Sequence, residues 1–274
     1  MMILKRLLTV LMAAMLMTIL TACGEDEEEV YEKAVEVAND MESAEIKAVV
    51  DQTIDYPEEG EPIKTENTFD MEMTLDPMAI HQKGATHLIM EDMEDIMDLE
   101  MYLIEDDLYI YESTSKQWLK TTTEMFDAID MGDQQQDPAE QLKMIQDYTK
   151  ELEFEENDDS YMLTLNADGE EFDKLFQEVL DETLPAELMD SLGKDEQEML
   201  KSMKMNALDY KIEINKKNYE MKSFNMKSDI TLEVEGDELT IAQDMKAVYS
   251  NINGVDPIVV PQDVIDQAVD MPAF

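Results

Sequence analysis

From Ile46 onward the chain alternates apolar and polar residues with period two. Ile46, Ala48, Val50, Gln52, Ile54 and Tyr56 fall on one side, with Lys47, Val49, Asp51, Thr53 and Asp55 on the other. Pro57-Glu58-Glu59-Gly60 reads as a turn. After it Asn67, Phe69, Met71, Met73 and Leu75 share a face opposite Asp70, Glu72 and Thr74. This predicts an antiparallel hairpin with one wet face. Ala79 to His87 reads as a third strand, broken or bulged at Gly84. Leu88 to Lys120 holds two or three more. Leu99, Met101 and Leu103 alternate with Glu100, Tyr102 and Ile104. A turn at Glu105-Asp106-Asp107 leads into Leu108-Tyr109-Ile110-Tyr111 and a return through Lys116-Gln117-Trp118-Leu119.

The same alternation is strongest near the C-terminus. Leu208, Tyr210, Ile212 and Ile214 run up to a turn at Asn215-Lys216-Lys217-Asn218. Phe224, Met226, Ser228, Ile230, Leu232 and Val234 form the next face. Gly236-Asp237 turns the chain into Leu239, Ile241, Gln243, Met245, Ala247 and Tyr249. Both strands exceed the usual length, about 5–6 residues. Long twisted strands joined by tight turns predict a curved sheet or an open barrel.

Helical spacing occupies the remainder. Val30, Ala34, Val37, Ala38 and Met41 predict a helix over about Glu28 to Ser43. Asp137-Pro138 reads as an N-cap with proline at the first helical position, followed by Leu142 and Ile145 on a helix to about Leu152. An acidic turn from Glu155 to Ser160 precedes a strand at Tyr161 to Asn166. Further helices are expected over Gly169–Thr183 and Pro185–Met203, the latter interrupted near Leu192-Gly193-Lys194. Ile258-Val259-Val260-Pro261 precedes a short helix near Asp263 to Val269. The fold class is α+β. No linker rich in Pro, Gly or Ser divides the chain, so residues 30–274 are expected to form a single domain.

The N-terminus follows a different rule. Lys5-Arg6 is followed by 14 uncharged residues from Leu7 to Leu20, then Thr21, Ala22 and Cys23. A membrane-spanning helix wants roughly 20 apolar residues. Basic start, short apolar run, small residues and cysteine read as a lipoprotein signal. Residues 1–22 would be the signal peptide, with cleavage between Ala22 and Cys23. The Cys23 thiol would carry diacylglycerol, with residues 23–29 as the lipidated cysteine and acidic tether. The expected location is extracytoplasmic, lipid-anchored to the outer face of the cell membrane.

Charge narrows the function. The whole chain carries a formal net charge of −47, and loss of Lys5 and Arg6 leaves 18 lysines against 67 acids. The only arginine is Arg6. Nucleic acid is excluded as a partner, since phosphate binding needs clustered cations. A peripheral grip on anionic head groups is disfavoured too, so anchoring falls to acyl chains. Cys23 is the only cysteine, and its lipidation leaves neither a disulfide nor a thiolate nucleophile. Hydrophobic residues make up 44% of the chain, including 25 methionines, and they are patterned, so the acids coat a folded domain.

Candidate chemistry is sparse. His81 and His87 are the only histidines. On one strand they would stand roughly 20 Å apart, too far to share a metal ion, and they are expected at the surface. Asn157-Asp158-Asp159 and Asn166-Ala167-Asp168-Gly169-Glu170 offer oxygens but lack the spacing of a calcium loop. No resident metal or cofactor is expected. Paired carboxylates are everywhere, and there is no Gly-x-Ser-x-Gly, no His-Glu-x-x-His and no phosphate loop. The expectation is therefore that the protein is not an enzyme.

Three patterns carry a resemblance. They are the post-cysteine helix leading into a long strand over Val30–Tyr56, Leu108-Tyr109-Ile110-Tyr111 followed by Trp118-Leu119-Lys120, and Tyr210 to Tyr219 followed by two long strands, Tyr249-Ser250-Asn251-Ile252-Asn253 and Ile258-Val259-Val260-Pro261. Together with the signal they resemble a family of Gram-positive lipoproteins of uncharacterised function, similar in layout to the LolA, LolB and LppX/LprG lipoprotein-carrier group. That resemblance implies a curved antiparallel half-barrel with helices on its concave side and a cavity for acyl chains. LolA relies on an arginine that the mature chain lacks. The residues assigned to the candidate apolar cavity are Phe69, Met71, Met73, Phe224, Met226, Ile230, Ile241 and Met245. Methionine suits variable apolar partners. The functional expectation is a lipoprotein that binds a lipid or acyl chain without catalysis. The alternative is an acidic envelope module for interaction or cation buffering, with no small-molecule ligand.

Overall fold

The structure is a computed structural model that describes residues 26–56, 61–91, 93–113, 115–122, 142, 152–168, 199–200, 202–234 and 237–271. Ala22, Cys23 and the signal lie outside these residues. So do Gly169 and Glu170 and most of the three expected central helices; Leu142, Met199, Leu200 and Ser202 are described and helical.

Among the described residues twelve strands form one open sheet. Helix α1 spans Glu27–Asn39 and is followed by β1 (Ser43–Asp55), β2 (Ile63–Leu75), β3 (Met78–Met90), β4 (Met93–Ile104), β5 (Asp107–Glu112) and β6 (Gln117–Thr122). Then come β7 (Glu153–Glu156), β8 (Ser160–Asp168), β9 (Lys204–Asn215), β10 (Met221–Val234), β11 (Asp237–Ser250), α2 (Gln262–Gln267) and β12 (Val269–Asp270). The spatial order is β12-β6-β5-β4-β3-β2-β1-β11-β10-β9-β8-β7. The sheet is thus curved but not closed, with β12 and β7 at its edges. It is two runs of hairpins joined where β1 meets β11, Ala48 opposite Ala247. Among the described strands only β12 pairs in parallel, against β6.

The two faces differ as the alternation requires. Ala44, Ile46, Met73, Ile80, Ile212, Ile214 and Phe224 lie on one face and are buried with Val30, Tyr31, Ala34 and Ala38 of α1. We call this the inner face. Asp26 caps α1, its Oδ1 accepting from the Glu29 amide at 2.9 Å, and the three glutamates that follow suit the positive end of the helix. The Tyr31 hydroxyl donates to the Leu142 carbonyl at 2.8 Å. On the outer face a smaller cluster joins Tyr102, Tyr109 and Trp118 to Ile258, Val260 and Val264. The C-terminal segment therefore crosses the opposite side of the sheet from α1.

Asn251 and Asn253 fix that crossing. Both adopt positive φ, 49° and 57°, which asparagine tolerates better than most residues. Asn251 Nδ2 donates to Glu45 Oε1 at 2.8 Å. Asn253 Oδ1 accepts from the Glu42 amide at 2.7 Å, and its own amide donates to the Ser43 carbonyl at 2.8 Å.

Several expectations need correction. β3 runs unbroken through Gly84, with no register shift against β2 or β4; the glycine serves close approach, not a bulge. The acidic turn expected over Glu155 to Ser160 narrows to Asn157–Asp159, because Glu155 and Glu156 already pair in β7 and Ser160 opens β8. β7 is an edge strand whose one apolar residue, Phe154, sits on the inner face opposite Leu163 and stacks on Tyr161. Four residues with three glutamates leave no readable alternation. α1 ends at Asn39 rather than Ser43, because Ser43 already pairs in β1. The last helix ends at Gln267, and Val269–Asp270 pairs with Leu119 and Lys120.

Candidate functional site

All eight residues assigned to the apolar cavity lie on the inner face, but they divide into two zones. Met73 is fully buried and Phe224 nearly so, beneath the region that α1 covers. Phe69, Met71, Met226, Met245, Ile230 and Ile241 are only partly buried. In register, Met226 stands opposite Met245 and Ile230 opposite Ile241. Phe69 stands opposite Ala48 and Gly84. The small residues on both sides leave its ring room.

The inner face is banded. A row toward α1 contains Tyr249, Ile46, Met71, Gln82 and Met101 across β11, β1, β2, β3 and β4. On the far side of Phe69 come Met226, Met245, Val50, Asn67 and Thr86. Beyond these is a polar row, Ser228, Gln243, Gln52 and Thr65, and then an apolar one, Ile230, Ile241, Ile54 and Ile63. Asn67 is matched where it sits. Its Nδ2 donates to the Val50 carbonyl at 3.0 Å, and its Oδ1 accepts from the Thr86 hydroxyl at 2.8 Å.

Gln82 was not among the expected site residues. It is 9% exposed, stands between Met71 and Met101, and has no side-chain hydrogen bond among the described residues. Burying an unpaired amide costs about 1–3 kcal/mol. In the sequence it hides within His81-Gln82-Lys83; only its two-residue offset from Ile80 hints that it points inward.

The outer face gathers the ionisable chemistry. His81 stacks on Tyr102 with ring centroids 4.2 Å apart. Its Nδ1 lies 3.4 Å from Glu72 Oε2 and its Nε2 3.2 Å from Glu100 Oε1. His87 repeats the arrangement, 3.5 Å from Glu66 and 2.8 Å from Glu94. Each histidine of β3 thus sits between glutamates of β2 and β4. They are half-buried and in contact with carboxylates rather than simply exposed, because the strands on both sides hold the rings. Burial works to raise the Glu100 carboxyl, but hydrogen bonds from Lys83, His81 and Tyr102 and the Lys83 charge outweigh it and hold the group below its ordinary value of 4.5. The Tyr102 phenol is pushed up to about 12 by burial and by Glu100, Asp263 and Glu72. A groove of about 290 Å³ runs between this cluster and residues 254–259.

The described acidic turn is already supplied with a cation. Lys216 Nζ lies 2.7 Å from Glu156 Oε1 and also contacts the Asn157 carbonyl. Asn166 and Asp168 are both on β8, which runs two residues past the expected strand end at Asn166. Among the described residues no group of three or more His, Cys, Asp or Glu could hold a metal ion.

A family profile matches residues 26–269. The chain belongs to DUF6612, a family of unknown function. No curated protein matches it. Among solved structures it is similar to a LolA superfamily protein from Nitrosomonas europaea, at 10% identity over 88% of this chain and 97% of that one, with a TM-score of 0.21. It is also similar to a β-barrel-like DUF1849 protein from Brucella abortus, at 9% identity over 77% of this chain and 100% of that one, TM-score 0.22. A DUF1329 family protein from Desulfovibrio piger matches at 8% identity over 84% of this chain and 93% of that one, TM-score 0.23.

Proposed function

We infer that this DUF6612 protein is a lipid-anchored extracytoplasmic lipoprotein that holds a hydrophobic ligand, a lipid or acyl chain, on the concave inner face of its sheet, and that it does so without catalysis. The observation that carries this reading is the gradient along that face. Met73 and Ile212 are sealed, whereas Phe69, Met226 and Met245 continue the same apolar surface only partly covered, with Ile230 and Ile241 beyond an intervening polar row. Apolar sites with few polar groups bind by burial, and flexible methionines adapt to variable chains. The Leu20-Thr21-Ala22-Cys23 signal supports the anchor, with Cys23 three residues before the Asp26 cap of α1. Attachment would be through a diacylglyceryl cysteine.

The test is mass spectrometry of organic extracts from residues 24–274 purified without detergent from a bacterial host. A lipid present in stoichiometric amount supports the reading. Protein that is empty and takes up no added acyl probe overturns it. That result would favour an acidic interaction module, a reading supported by the cross-strand ionic pairs of the outer face, such as Lys227 with Asp244 at 2.8 Å.

A further inference from the structure

We propose that Gln82 is the polar contact of this site, and that the ligand presents to it a neutral acyl carbonyl, in an ester or amide, in preference to a carboxylate or a bare hydrocarbon. The proposal rests on the acyl-binding reading and names the chemistry of the ligand head.

Gln82 stands mid-strand on the inner face, opposite Met71 on one side and Met101 on the other. Its side chain is more than nine-tenths buried, and among the described residues it makes no hydrogen bond. A primary amide brings two donor hydrogens and an acceptor oxygen, and a buried polar group without a partner is unfavourable. Leucine or methionine would fill a similar volume among methionine neighbours without that cost. The inner face does match its polar groups where it can, since Asn67 bonds both Thr86 and the Val50 carbonyl. The unmatched amide therefore calls for a partner that arrives from outside the described chain.

Charge selects among the possible heads. The inner-face positions of β1, β2 and β3, from Ala44 to Ile54, Ile63 to Leu75 and Ile80 to Leu88 at every second residue, contain no lysine. The chain has a formal charge of −47. A carboxylate placed there would meet no lysine from these three strands and an unfavourable field. A neutral ester or amide carbonyl accepts from Gln82 Nε2 without that penalty, and an amide N–H could also donate to Gln82 Oε1. The acyl chain would then lie along the neighbouring Met71, Met101 and Phe69.

The experiment uses delipidated residues 24–274, which contain every described element, and tritiated 1-monopalmitoylglycerol, palmitate at pH 8 and hexadecane. Wild type should bind monopalmitoylglycerol about tenfold more tightly than hexadecane, the worth of one net hydrogen bond, with palmitate weaker than the ester. Gln82→Leu should erase that preference, leave hexadecane binding unchanged or tighter, and melt at or above wild type when lipid-free. Gln82→Met serves the same comparison if the leucine variant misfolds. A preference that persists in the variants, or wild type that binds ester and hydrocarbon equally, overturns the role of Gln82 while leaving acyl binding intact. If neither protein binds any of the three probes, the acyl-binding reading falls and this proposal falls with it.

Discussion

Gly84 on β3 stands directly opposite Phe69 on β2, and a Cβ on the glycine would lie 2.6 Å from Phe69 Cδ1 and 2.1 Å from the Thr68 carbonyl oxygen. Alanine normally suits a strand interior better than glycine. Here the added methyl meets backbone that cannot rotate away. Gly84→Ala should therefore destabilise the protein by about 1–3 kcal/mol, read from urea denaturation midpoints. A Phe69→Leu background should not restore the loss, because the Thr68 carbonyl remains. An unchanged midpoint would show that β2 and β3 part without cost.

Glu100 gives a pH dependence with a defined sign. Its pKa in the folded protein lies below the ordinary 4.5, with burial opposing and the hydrogen bonds from Lys83 and His81 prevailing. A depressed carboxyl contributes stability above its unfolded value, and that contribution is lost as pH falls through the folded value. Wild type should exceed Glu100→Gln in stability above about pH 4.5, and the two should converge on further acidification. Melting temperatures measured from pH 7 down to pH 3 check this, and a constant difference across the range would remove Glu100 from the account.

The long hairpins were legible because their alternation is long. β1 with β2 and β10 with β11 each offer enough positions for period two to stand out, and the observed register places Met71 beside Ile46 and Met226 beside Met245. β7 and β12 were not legible, since four and two residues carry no period. Contacts made across strands were equally hidden. Glu72, His81 and Glu100 are far apart in sequence and meet only through the β2-β3-β4 register. The inward aim of Gln82 emerged in the same way, from Met71 and Met101 on either side.

The acidic coat should make stability depend on salt. With a formal charge of −47, self-repulsion opposes the compact state and is screened as ions are added. The melting temperature should rise between about 10 mM and about 1 M sodium chloride, over which the Debye length falls from about 30 Å to about 3 Å. Isolated surface pairs such as Lys47 with Asp70 weaken in salt but are worth little, so the rise should prevail. A flat profile would mean that the acids are spaced too widely to matter.

The proposed anchor depends on one atom. Cys23→Ser removes the thiol that would carry diacylglycerol, so the variant should incorporate no labelled fatty acid. Undiminished labelling would reject the lipoprotein assignment. A chain beginning at Gly24 keeps the Asp26 cap, α1 and the whole described sheet, and should stay soluble without detergent.

The two zones of the inner face should separate stability from binding. Met73 is fully buried beside Ala44 and Ile80, so Met73→Ala should cost about 2–5 kcal/mol through lost burial and a cavity. Met226 and Met245 face one another across β10 and β11 and are only partly buried. Truncating each to alanine should cost about 1 kcal/mol, with near-additive loss only if the two do not repack together. If the open zone carries the ligand, the Met226→Ala, Met245→Ala double variant should lose most of its copurified lipid, while Met73→Ala keeps its lipid wherever it stays folded. Paired thermal melts and lipid extractions on the three proteins decide it. The reverse order, with lipid lost on truncation at Met73 and retained in the double variant, would move the binding surface to the end of the sheet beneath α1.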